Sequence, residues 1–290
     1  MRCALYLFVG LWCTAAAAAE PWSRVERELA FESVALGGPL RFALLCPLEP
    51  AATSAGYPVV YLLHGLGGNH ADWLEGGRIE ATYDRLRRED AIPPLFVVMP
   101  DGGDGWYVNS AAIGGPGDYG RAVGTELVGH VDATLPTEAS RTARAVVGLS
   151  MGGYGALRLA FTHSDRFAAA ASLSGAILPN FDPERTPSTE EIWFLKDAFG
   201  VPFDPARFNA LNLFGLIPKA EPAPPAVFLT SGDDDELGFH RGTMRLFIDL
   251  EAAGVPVELR ITDGGHDWAL WAEQIEPALR FFADVFATGR

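Results

Sequence analysis

Three stretches hold residue types able to do covalent chemistry together: Gly148-Leu149-Ser150-Met151-Gly152-Gly153, Asp233-Asp234-Asp235-Glu236, and Gly264-Gly265-His266-Asp267-Trp268. The first fits the G-x-S-x-G nucleophile elbow. A serine hydroxyl is a weak nucleophile, so it needs a base to take its proton and donors to hold the oxyanion that forms. The competing reading is a plain strand–turn–helix capped by a serine. His266 is the expected base, because its flanking glycines let a loop turn and swing the imidazole toward Ser150. The other histidines fit less well. His130, His163 and His240 fall in or at helices, and His64 and His70 lie in an earlier loop. One carboxylate of the 233–236 run would orient His266 and steady its imidazolium. The four repel one another, so most must face water, and the residues alone leave the choice among them open.

The second half of the oxyanion pair is expected from His64-Gly65-Leu66-Gly67-Gly68, the first half from the Met151 N–H. The glycines of that loop also suit a phosphate cradle, but no Gly-Lys-Ser/Thr follows. The acidic run also suits calcium, but it lacks the alternating spacing of an EF-hand loop. No metal and no cofactor is expected.

These residues need elements to position them. Ala143–Val147 reads as a buried strand and Met151–Phe161 as a buried helix, the two meeting at the serine. Arg27–Val34 and Leu40–Cys46 read as an entry hairpin around Gly37-Gly38. Pro58–Leu63, Leu95–Met99, Phe167–Leu173, Ala226–Thr230 and Val257–Thr262 read as further strands. Helices are predicted over Ile79–Arg88, Arg121–Leu135, Phe239–Ala253 and Trp268–Phe286. Strands alternating with helices imply an α/β fold, a mostly parallel central sheet covered on both faces. The proline-rich 176–225 stretch reads as a lid-like insertion. The glycine-rich, aromatic 104–120 stretch leaves a strand end, where ligand loops gather. Trp73, Trp106 and Tyr107 are the candidates for a substrate cleft.

The chain has 290 residues, and an apolar run after Arg2 gives way to Ala15–Ala19 before Glu20. That is the pattern of a secretory signal peptide cut after Ala19, leaving 20–290 as a single domain that is secreted or periplasmic. Cys3 and Cys13 would leave with it, and Cys46 would remain without a disulfide partner. Acidic residues outnumber basic ones 37 to 22, for a net charge of −15. That excess argues against nucleic acid or anionic lipid as partner. An ester-bearing small molecule or polysaccharide is the expected partner, without stable membrane insertion after cleavage.

Taken together, Tyr61–Gly68, Asp72-Trp-Leu-Glu-Gly-Gly77, Ala145–Gly153, Gly232–Leu237 and Gly264–Trp268 resemble the esterase D-like family of α/β-hydrolases. The likeness is nearest to the feruloyl esterase modules of xylanases, and it extends to S-formylglutathione hydrolases and the antigen 85 mycolyltransferases. It implies an α/β-hydrolase fold and a serine carboxylesterase working through an acyl-enzyme, on feruloyl or acetyl esters of plant polysaccharide. It aligns Gly232, Asp235 and Leu237 with the family's Gly-x-x-Asp-x-Leu, which favours Asp235 as the acid. It points to Leu66 as the second oxyanion donor. The 176–225 insertion matches no named substrate pattern. Two rival readings share the fold: an acyltransferase using the same triad, and a catalytically degenerate binding module.

Overall fold

A strand buried on both faces needs helices on both sides of its sheet, and the order of elements supplies them. The computed structural model describes residues 20–195, 197–217 and 224–289. The expected signal peptide, 1–19, lies outside the described residues. The chain opens with β1 (Ser23–Ser33) and β2 (Gly38–Pro47), followed by β3 (Val59–Leu63), α1 (Asp72–Glu75), α2 (Ile79–Arg88) and β4 (Phe96–Pro100). A helical rod then runs through α3 (Tyr119–Arg121), a π-helical stretch Ala122–Leu127 and α4 (Val128–Thr134). β5 (Arg144–Leu149) leads into α5 (Met151–Thr162), and β6 (Ala169–Leu173) leads into the insertion. The insertion holds α6 (Thr189–Ile192), a 3-10 turn at Trp193–Leu195, α7 (Pro205–Leu211) and α8 (Leu213–Leu216). β7 (Ala226–Gly232), α9 (Phe239–Ala252), β8 (Val257–Thr262) and α10 (Trp268–Thr288) complete the chain.

The strands form one eight-stranded sheet in the order β1-β2-β4-β3-β5-β6-β7-β8. β2 pairs antiparallel with β1 and β4, and the pairs from β4 through to β8 are parallel. Successive side chains on a strand point to opposite faces, and the core divides accordingly. Tyr61, Val98, Val146 and Val227 pack with the rod, α5 and α9. Val60, Val97, Val147 and Phe228 pack with α2 and α10. The parallel strands point the same way, so the loops after β3, β5, β7 and β8 leave from one edge of the sheet, where ligands of open α/β sheets bind.

The strands and long helices fall where the hydrophobic pattern puts them, with ends shifted by a few residues. The largest difference is the helix expected over Arg121–Leu135, which begins at Tyr119 and widens to π geometry in its middle. Gly124 lies inside that widened stretch, and a Cβ on it would come within 2.8 Å of the Leu159 side chain. The bare backbone therefore lets the rod seat directly on α5. Among the described residues no helix is long and apolar enough to cross a membrane.

Phe282 is fully buried on α10, in the core layer shared with Phe228. Phe282→Ala should cost about 3–5 kcal/mol, measured as a lowered urea midpoint at an unchanged slope.

Candidate active site

β5 ends at Leu149 and α5 begins at Met151, so the reversal between them falls on one residue. Ser150 makes it at φ 53° and ψ −120°, a conformation that costs a non-glycine residue about 1–3 kcal/mol. Its surroundings enforce it. The Ser150 N–H donates to the Leu173 carbonyl at 3.0 Å, and its own carbonyl accepts from Gly153, Tyr154 and Ala176 at 3.0, 3.2 and 3.0 Å. Strand and helix meet at backbone distance. A Cβ on Gly148 would lie 2.3 Å from the Gly152 carbonyl oxygen, and one on Gly152 would lie 2.5 Å from the carbonyl oxygens of Leu63 and His64. Both positions must be glycine for the turn to close.

His266 sits in the loop after β8. Its Nε2 is 3.0 Å from Ser150 Oγ and its Nδ1 is 2.9 Å from Asp235 Oδ2. Nδ1–H donating to the carboxylate leaves Nε2 free to accept from the serine hydroxyl, the tautomer that general-base chemistry requires. The ring is gripped edge-on by Trp271, 4.9 Å between centroids at 88°, and by Phe239, 5.3 Å at 78°. The His266 main-chain N–H donates to Glu236 Oε2 at 3.2 Å.

Asp235 is buried, while Asp233 and Asp234 are exposed beside Asp263 and do not line the cavity. The geometry thus separates residues that sequence alone left equivalent. Burial pushes the Asp235 carboxyl up, but the hydrogen bond and charge of His266, with the Leu237 and Phe239 N–H groups, outweigh it and hold the group below the ordinary carboxylate range. A lowered folded pKa means that the ionised carboxylate adds stability at neutral pH. That contribution fades as pH falls through the depressed value.

The loop after β3 brings Gly65 and Leu66 to the cavity wall, where Ser150 and Met151 also lie. Its shape is fixed from behind. His64 is buried, its Nδ1 lies 2.7 Å from the Gly65 carbonyl, and its Nε2 accepts the Gly102 N–H at 2.7 Å. An acceptor at Nε2 and a carbonyl at Nδ1 define one neutral tautomer. The Gly67 N–H is taken by Asp104 Oδ1 at 2.8 Å and the Gly68 N–H by the Gly65 carbonyl at 3.2 Å.

The cavity measures about 860 Å³, within the range of small-molecule sites. Of the aromatic residues expected in the cleft, only Trp106 lies on its wall. Trp73 is 1% exposed, donates its indole N–H to the Leu63 carbonyl, and packs edge-on against Trp268. Tyr107 is fully buried and donates its hydroxyl to the His64 carbonyl at 3.1 Å. Both support the wall from behind and cannot reach a ligand. The wall's other aromatics include Trp193 and Phe194 of the insertion, and Trp268 and Trp271 of α10. The signal for the last two was available: both follow His266 by a few residues at the start of a helix. Trp193 and Phe194 stood in an irregular segment with no period to orient them.

Residues 33–282 match a family model described as "Putative esterase". The chain is 27% identical over 238 residues to an acetyl esterase of Caldicellulosiruptor saccharolyticus, a match covering 78% of this chain and 83% of that one. It is 37% identical over 149 residues to esterase Rv1288 of Mycobacterium tuberculosis, covering 50% of this chain and 31% of that one. A ferulic acid esterase of known structure superposes with a TM-score of 0.73 at 24% identity, covering 92% of this chain and all of that one. At that identity the likeness shows the fold, an α/β-hydrolase.

Gly152→Ala should force strand and helix apart. The expected effect is a loss of roughly 3 kcal/mol in urea denaturation, and slower labelling of the folded fraction by a fluorophosphonate.

Proposed function

The chain belongs to the esterase family and is a serine hydrolase of carboxylic esters; from that premise we propose that Ser150, His266 and Asp235 carry the reaction and that the enzyme is exported. The observation that carries the reading is the pair of hydrogen bonds joining the three side chains, 3.0 and 2.9 Å long, at a cavity wall. In the proposed mechanism His266 Nε2 takes the proton as Ser150 Oγ attacks the ester carbonyl. Negative charge collects on the carbonyl oxygen, where the N–H groups of Leu66 and Met151 are the proposed donors. Each such donor is typically worth about 3–4 kcal/mol of barrier. His266 then protonates the leaving alcohol, and a water activated by the same imidazole clears the acyl-enzyme. Asp235 holds the tautomer and balances the imidazolium. The substrates proposed are acetyl or feruloyl esters, on the strength of the names carried by the acetyl esterase and the ferulic acid esterase. The cavity has room for either acyl group.

The sequence pattern at 1–19 supports export, with 20–290 as one hydrolase domain. N-terminal sequencing of the protein recovered outside the cytoplasm should begin at Glu20; a chain still carrying residues 1–19 would overturn that proposal.

Hydrolysis of p-nitrophenyl acetate and methyl ferulate tests the chemistry. Ser150→Ala should abolish both activities and the covalent fluorophosphonate adduct, and Asp235→Asn should lower kcat by about 10⁴-fold. Unchanged rates in Ser150→Ala would overturn the mechanism.

A further inference from the structure

The wall of the cavity carries an unbalanced charge. Arg185 is the only arginine or lysine on it among the described residues. Its guanidinium is already matched: Nη1 and Nη2 donate to the two oxygens of Glu191 at 2.9 and 2.8 Å. Glu191 also accepts the Ser188 N–H at 2.7 Å. Asp182 and Glu190 of the insertion and Glu236 of the β7 loop are left, all exposed and all on the wall. Asp72 also lines the wall, half-buried, and burial pushes its carboxyl up.

These carboxylates come from separate parts of the chain and frame a cavity whose remaining lining is largely apolar, including Trp106, Phe181 and Phe194. Low-dielectric walls lined by charges of one sign focus the field into the opening. The net charge of the whole chain, −15, has the same sign. A substrate anion therefore meets repulsion that Arg185, committed to Glu191, does not relieve.

Resting on the assignment of Ser150 as nucleophile, we infer that the cavity selects its substrates by charge. It disfavours esters bearing a free carboxylate near the scissile bond relative to their uncharged counterparts. Asp182, Glu190 and Glu236 are the discriminating residues. Their action is electrostatic, so it must weaken as salt shortens the Debye length.

The test uses two substrates that differ in one group, methyl 4-nitrophenyl adipate and mono-4-nitrophenyl adipate, with nitrophenolate release followed for the wild type and for Ser150→Ala. The free acid should show a kcat/KM roughly five- to tenfold lower at an ionic strength of about 0.01 M, with the gap closing substantially by about 0.5 M. The double variant Asp182→Asn/Glu190→Gln should raise the ratio of free acid to methyl ester severalfold at low salt. Its substitutions are near-isosteric and on exposed side chains, and circular dichroism would check the fold. A free acid turned over as fast as the methyl ester at low salt would overturn the inference while leaving the nucleophile assignment standing. A gap indifferent to both salt and the double variant would overturn it too, assigning the discrimination to shape. If neither ester showed Ser150-dependent turnover, the assignment itself would fall and take the inference with it.

Discussion

The site depends on a contact between two stretches of bare backbone. Gly148 and Gly152 let α5 dock on β5 with carbonyl oxygens where side chains would otherwise stand. The consequence is felt at Ser150, whose backbone is held at φ 53° by hydrogen bonds from both sides. Strain of that kind persists only where surrounding structure over-determines it. Here the sheet on one side and Ala176 on the other both bond to the same residue. The same docking brings α5 against the end of β3, because the atoms closest to Gly152 are the carbonyls of Leu63 and His64. Ser150 and the loop after β3 are thus set by one packing event.

His64 extends that coupling outward. Its side chain ties the loop after β3 to the loop after β4 through the Gly102 N–H, and its carbonyl receives the Tyr107 hydroxyl. Tyr107 and Trp106 both hold positive φ, 52° and 53°. Trp106 in turn donates its indole N–H to the Phe194 carbonyl of the insertion at 3.1 Å. A continuous series of bonded groups therefore runs from the serine's neighbourhood to the insertion, through side chains that never touch the proposed reacting atoms. Sequence reasoning placed Tyr107 in the cleft because an aromatic residue in a glycine-rich loop at a strand end resembles a ligand contact. It is buried instead because its ring packs on Gly155 and Gly102, positions where any Cβ would collide with it.

The legible part of the sequence was the part governed by period and by local chemistry. Buried strands read as apolar runs, α2 read as amphipathic, and the elbow was visible because only glycine tolerates the contacts on either side of Ser150. His266 was legible for a similar reason, a loop histidine placed after the last strand. Asp235 was not separable from Asp233 and Asp234 by residue type, and a family resemblance was needed to favour it. What distinguishes it in space is burial and two backbone N–H groups, properties set by how β7 meets α9. Trp73 defeated the reading differently. It was expected to stack on a ligand as an aromatic residue, but its indole is buried against Gly77, where a Cβ would come within 2.6 Å of the ring.

The insertion was the least legible segment, and physics explains why it carries so much of the cavity wall. Groups that must react need their spacing held to a fraction of an ångström, and Ser150, Asp235 and His266 sit in short turns between strands of the sheet and the helices packed on it. A wall that sorts substrates by size and charge has no such requirement. It can be built from short helices held by a few polar ties, such as the Arg185–Glu191 pair and the capping box at Ser188. Segments of that kind lack a long hydrophobic period, because they bury one edge and leave the other to solvent. Trp193, 61% exposed at the cavity and packed on one side against Phe194, shows the result in a single side chain. Its environment is decided by what the core leaves open, and that hides it from a pattern-based reading.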